Sequence, residues 1–161
     1  MPDLSEAAIR EALKAVKDPE IPVLSLVHMG IIRSITSENG HIRVVMTPTF
    51  AGCPAIEVMR RDVVRVCEEL GATSVEVEVN HRGAWSSNEI TREGREALRG
   101  FGLSPPPLIE GEVEMEHLMQ AECPRCGSRN TVLRNTFGPT ACRAIHHCND
   151  CHETFEQMKP L

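Results

Sequence analysis

Two Cys-x-x-Cys pairs constrain this chain more than any other feature: Cys123-Pro124-Arg125-Cys126-Gly127 and, 21 residues further on, Cys148-Asn149-Asp150-Cys151-His152. Two residues between cysteines let one tight turn present both sulfurs to a single ion, and two such turns complete a tetrahedral shell. Gly127 suits the left-handed backbone after the first turn; His152 takes the matching place in the second, where a side chain is tolerated less well. Cys123, Cys126, Cys148 and Cys151 are the expected ligands. A closed four-thiolate site points to structural zinc, with rubredoxin-like iron or a cluster as the alternative for the same ligand type. Cys142, His146 and His147 lie between the pairs and offer other donors. Four cysteines already suffice, which leaves Cys142 as a packed thiol and the two histidines as strand residues. The ribbon either folds the tail or also docks a partner, and spacing does not separate the two.

The cysteine count supports metal over cystines. Seven cysteines are an odd number, and five fall in the last quarter of the 161 residues. That is the pattern of a reducing compartment, so the expected location is cytoplasmic. No apolar run approaches the roughly 20 residues of a bilayer helix, and residues 1–18 carry acids and bases at helical spacing in place of a leader, so no membrane role is expected. The formal charge of -6 divides into -3 for residues 1–103, -4 for 104–120 and +1 for 121–161. Without a basic segment, nucleic acid is not an expected partner.

The periodicity outlines an α+β chain. Ile9, Ala12, Leu13 and Val16 mark an amphipathic helix over 5–17, capped by Asp3 or Ser5 and stopped by Pro19. Asn39-Gly40 between the β-branched runs 30–36 and 41–47 signals a type I′ hairpin. Pro54 opens a helix with the stripe Ile56, Met59, Val63, Val66, Cys67 and Leu70, ending at Gly71, and Val75, Val77 and Val79 alternate with glutamates in a strand. The order helix, strand, strand, helix, strand implies a small two-layer α/β domain whose last strand joins through a helix crossover. Residues 91–99 add a short helix. Ser104 and three prolines, then Glu110, Glu112, Glu114 and Glu116, read as an extended, self-repelling linker. The expected organisation is a domain at 1–103, an acidic linker at 104–118 and a four-cysteine zinc ribbon at 119–161, the last too poor in large apolar residues to fold without a staple.

Two further groups carry chemistry. Thr47-Pro48-Thr49-Phe50-Ala51-Gly52-Cys53-Pro54 joins a strand to a helix. Cys53 is expected at the N-cap, where free amides and the positive helix end favour thiolate, with Thr47, Thr49 and Gly52 allowing close approach of an anion or metal. The alternative is an inert turn cysteine. Asp18-Pro19-Glu20-Ile21-Pro22 brings two carboxylates into a stiff turn, and by spacing alone capping and turn formation outweigh a ligand role. His28, His81 and Trp85 are isolated signals; His28 and Trp85 read as core or rim residues.

These segments, with Met29-Gly30-Ile31 and Phe137-Gly138-Pro139-Thr140-Ala141-Cys142, resemble over nearly the full chain the PaaD family, the D-type components of phenylacetyl-CoA ring-1,2-epoxidase systems. The N-terminal half resembles the SufT-type domain of iron-sulfur protein assembly. The resemblance implies an accessory, non-catalytic role in aerobic phenylacetate catabolism, beside a di-iron oxygenase and a reductase carrying flavin and a [2Fe-2S] cluster. The absence of paired Glu-x-x-His helix motifs agrees with that role. It also implies a candidate assembly site at Cys53, Asp18 and Glu20, with Thr47 and Thr49 in the loop, that handles iron or a cluster transiently. The alternative is a ribbon scaffold in the same complex, or, as a third class, a thiol enzyme acting alone. One segment departs from the family: Trp85-Ser86-Ser87-Asn88-Glu89 stands where Trp-Thr-Thr-Asp-Trp is usual.

Overall fold

A computed structural model describes residues 4–161, so Asp3, the alternative cap of the first helix, lies outside them. The chain forms two compact units that divide between Trp85 and Ser86. Among the described residues no helix is long and apolar enough to cross a membrane.

In the first unit, Ser5 caps helix α1 (Glu6–Leu13), its hydroxyl accepting from the Ala8 amide at 3.2 Å. Past Leu13 the backbone tightens into i→i+3 bonds from Ala15 to Ala12 and from Val16 to Leu13. The regular helix therefore ends before Pro19, while Val16 stays buried and extends the apolar period. A one-turn helix α2 (Leu26–Met29) follows, capped by Ser25 and closed by Gly30 at φ 76; it is too short for periodicity to reveal.

Strands β1 (Ile32–Glu38) and β2 (His41–Met46) pair antiparallel around Asn39 and Gly40, whose φ of 50 and 79 are the two left-handed residues that a type I′ turn demands. A bulge between Ile32 and Ser34 lets β1 bury Ile32 and Ile35, three residues apart. Ile42, Val44 and Met46 of β2 share one buried face. Helix α3 (Ile56–Glu69) buries Ile56, Met59, Val63, Val66 and Cys67 and returns the chain to β3 (Ser74–Val79), which pairs parallel to β2 in a sheet of order β1-β2-β3. Helices α1 and α3 pack on this sheet and on each other, giving the two layers that the sequence implies.

The second unit begins earlier than the proline stretch suggests. Helix α4 (Arg92–Phe101) is capped by the Thr91 hydroxyl and ended by Gly102 at φ 89. It runs into β4 (Leu103–Ser104), which pairs parallel to the last strand. Helix α5 (Met115–Met119) precedes β5 (Thr131–Asn135), β6 (Arg143–Cys148) and β7 (Thr154–Met158), in a sheet of order β4-β7-β6-β5. Residues 86–103 thus belong with the ribbon's unit, and Leu98, Leu103 and Ile109 give it apolar burial beyond the 119–161 segment. The expected linker is also fastened: the Ile109 amide and carbonyl both bond the Asn88 side chain, at 2.9 and 2.6 Å.

Two glycines separate conformation from space. A Cβ on Gly40 would overlap Thr73 Oγ1 at a positive φ, whereas Gly100, inside α4, has nothing within 4 Å. Gly40→Ala should destabilise the first unit by about 1–2 kcal/mol. Gly100→Ala should stabilise the second by up to about 1 kcal/mol. Urea denaturation followed separately for each unit checks both signs.

Candidate metal centre and the cysteine loop after β2

The two Cys-x-x-Cys turns are the same turn built twice. In the first, the Cys123 amide donates to Ser128 O and the Gly127 amide donates to Cys123 O, both at 2.9 Å. In the second, the Cys148 amide donates to Glu153 O at 2.8 Å and the His152 amide to Cys148 O at 3.0 Å. Gly127 (φ 75) and His152 (φ 62) occupy equivalent left-handed positions, as their matching places in the sequence suggest. Polar side chains tie the turns together: Asp150 accepts from Ser128 Oγ and from Asn130 Nδ2, and the Asn149 amide donates to Asn130 O at 2.9 Å. These bonds hold the Asp150 carboxyl below its ordinary range, the Ser128 hydroxyl foremost and Asn130 next.

All four sulfurs lie within 4.8 Å of one another, with Cys123 to Cys151 and Cys126 to Cys148 at 3.6 Å. Those distances are far beyond a disulfide and close to the edge of about 3.8 Å that a tetrahedron with metal–sulfur bonds of about 2.3 Å requires. Amide hydrogen bonds outweigh burial on one corner: the Cys148 thiol is drawn down to about 7, first by the Cys151 amide and also by that of Asp150. At Cys126 the Ser128 amide also favours thiolate, but burial and hydrogen bonds with the other three thiols push the group up to about 12. Four sulfurs sharing protons in this way fit a dication that replaces those protons, and the donor set suits zinc. Cys142 lies apart, 3.1 Å from Thr140 Oγ1; His147 is half-buried on β6, and His146 is fully buried, 2.9 Å from Gln157 Oε1.

The other expected site has a different character. Among the described residues the ribbon cysteines are the one convergent group of three or more His, Cys, Asp or Glu side chains, so Cys53, Asp18 and Glu20 do not form a second. Cys53 is half-buried, and it is not the N-cap: α3 has Ala55 in that position, without a side-chain cap, and Cys53 sits two residues earlier, its carbonyl accepting from the Ile56 amide at 3.4 Å. The tight Pro54-Ala55 turn delays the first regular helical bond. Thr47 is buried, its amide donating to Ile31 O, and Thr49 is half-buried. The loop after β3 covers Thr47 closely enough that a Cβ on Gly83 would lie 2.9 Å from its hydroxyl. Both loops leave the C-terminal ends of the parallel pair β2 and β3, the end where α/β sheets place ligand sites.

Asp18 is buried and forms the turn that its place before proline suggests, Oδ1 accepting from the Glu20 amide at 2.8 Å. Trp85 is buried, its indole donating to Met29 O at 2.8 Å. In the divergent segment beyond it, Ser87 bonds the Leu161 backbone and Asn88 bonds Ile109. Sequence reasoning missed the Ser128, Asn130 and Asp150 bonds between turns; the cluster of small polar residues beside each cysteine pair is their one trace.

Removing zinc with a strong chelator, or replacing Cys126 by Ser, should abolish cooperative unfolding of β5–β7 while the β1-β2-β3 sheet keeps its transition. Circular dichroism with zinc analysis checks this, and a ribbon that stays ordered without metal would refute a structural metal. Cys67 differs from all of these: burial, then the nearby Glu68 carboxylate, push its thiol from 9.0 to about 11. A raised folded value favours the folded state below about pH 9 and loses that contribution as pH rises to about 11. In zinc-loaded protein at pH 8, iodoacetamide should therefore modify Cys53 and spare Cys67, as peptide mass mapping would read.

Comparison with known proteins agrees with both halves. Residues 6–79 match the family described as iron-sulfur cluster assembly protein, and residues 111–159 match the PaaD zinc beta ribbon domain. A protein of Porphyromonas gingivalis named Fe-S protein maturation auxiliary factor is 30% identical over 55% of this chain and 86% of its own length. Among solved structures, a domain of unknown function DUF59 from Bacillus anthracis has a TM-score of 0.53 at 30% identity, covering 58% of this chain and 90% of that one. A conserved hypothetical protein from Thermotoga maritima has the same TM-score at 27% identity, covering 64% and 99%. The Escherichia coli K12 protein named as the D component of 1,2-phenylacetyl-CoA epoxidase is 37% identical over 91% of this chain and 88% of its own length. With an assembly-type α/β unit and a four-cysteine ribbon in one polypeptide, the chain belongs to the PaaD family.

Proposed function

We propose that this chain is a cytoplasmic accessory component of a phenylacetyl-CoA epoxidase system, and that it assists iron or iron-sulfur cluster assembly of an oxygenase component. The observation that carries this reading is the union of an assembly-type domain and a zinc ribbon in one chain, 37% identical over nearly its whole length to the D component of such an epoxidase. The other components of that system, the reductase and the di-iron proteins, are its partners. Zinc is its resident structural ion; iron or a cluster is its transient cargo.

Within the first unit, Cys53 is the thiol we assign to the transfer. It is half-buried in a loop at the C-terminal ends of two parallel strands, while Cys67 lies sealed in the helix–sheet core. Asp18 and Glu20 supply hard oxygen donors, and Thr47 and Thr49 shape the loop. The scaffold reading keeps the ribbon and leaves Cys53 dispensable.

Cys53→Ser changes one atom and should abolish growth on phenylacetate, leaving an oxygenase component deficient in iron or cluster, with zinc content and circular dichroism of the variant unchanged. Cys67→Ala, a packing change, should support growth. Normal growth of the Cys53 variant, with full metal loading of its partners, would replace the assembly reading by the scaffold reading.

A further inference from the structure

The second unit holds a cavity of about 610 Å³ that the ribbon chemistry does not use, within the range of small-molecule sites. Its wall combines two materials. Arg95 and Arg99 enter from α4, one helical turn apart on the same face; Pro105, Pro106, Leu108 and Met119 supply an apolar side.

The arginine pair is electrostatically incomplete. Arg95 is half-buried and donates to two neutral carbonyls, Pro106 O and Ser87 O. Among the described residues no carboxylate forms an ion pair with it or with Arg99. Glu122, on the cavity wall, already faces Arg129 at 3.8 Å. Burial, and then the charge of Arg99, pull the Arg95 guanidinium below its ordinary range, so the pair carries both a desolvation cost and a like-charge cost with no acid to offset them. The carbonyl bonds fix the Arg95 fork in place, and a fixed guanidinium fork loses little entropy on taking an anion. Leu108 and Met119 stay exposed beside it.

We propose that this cavity binds a small organic anion, with a carboxylate or phosphate between Arg95 and Arg99 and an apolar body against the prolines, Leu108 and Met119. The inference stands apart from the assembly reading, since it uses no residue of the Cys53 loop.

The test titrates the full zinc-loaded chain with hexanoate, hexyl phosphate and hexanol, following Met119 methyl and arginine side-chain resonances by NMR. Either anion should saturate the site at least about tenfold more tightly than hexanol, and Arg99→Glu should cost the anion about tenfold or more while leaving hexanol unchanged. Arg99 is exposed, so that variant should keep the wild-type melting curve; Arg99→Gln, with a smaller loss, provides a second reading if it does not. The tighter of the two anions tells a carboxylate ligand from a phosphoester. Equal binding of anion and alcohol, an unaffected Arg99→Glu, or saturation only by a glutamate-rich peptide would overturn the proposal, the last in favour of a protein-docking groove.

Discussion

The second unit depends on one repeated backbone event. A cysteine carbonyl accepts from the amide four residues on, and that requires a left-handed residue directly after the second cysteine. Gly127 adopts it at little cost. His152 adopts it against the steric preference of a side chain, at an expense of about 1–2 kcal/mol. The four sulfurs meet because both turns close alike, and strands β6 and β7 leave the second turn in antiparallel register because Cys148 and Glu153 close it. A metal bond is strong enough to hold such a turn where the few apolar residues of β5–β7 are not.

The first unit rests on ordinary burial instead. Ile35, Ile42, Val44 and Met46 on the sheet meet Ile9, Leu13, Met59 and Val63 from the helices, a core that needs no ion. One polypeptide therefore carries two foldings with different dependences: one on apolar area, the other on a dication. That division suits a protein whose proposed work is to handle metal in one half while the ion of the other half stays in place.

Much of this is legible in the sequence, for reasons that differ by element. Asn39-Gly40 determines its hairpin because few residue pairs accept two left-handed conformations in succession. The cysteine spacing determines the ribbon because two sulfurs on one turn have little other use. The stripe from Ile56 to Cys67 matches its helix residue for residue. What escapes lacks period or length. Helix α2 is a single turn, and β4 is two residues recognisable only by the partner they meet. The proline stretch reads as a spacer, yet one of its carbonyls accepts from Arg95 and its end is clasped by Asn88, so its role is set by side chains outside it. Cys53 reads as an N-cap because a proline after a cysteine looks like a helix start even when another turn intervenes. Residue type is enough to single out that thiol, but whether further donors converge on it is a tertiary property that no local pattern encodes.

The parallel pairing of Leu103–Ser104 with β7 has a consequence for the outer edge of the ribbon sheet. The family match to the ribbon begins at residue 111, so a ribbon cut there would leave β4 behind and bare the outer backbone of β7. Such an open edge, on a strand that carries Phe155 and Met158, is a template for adding a foreign strand. The short β4 thus acts as a seal on that side: two residues, delivered by α4, cover the β7 edge of the sheet.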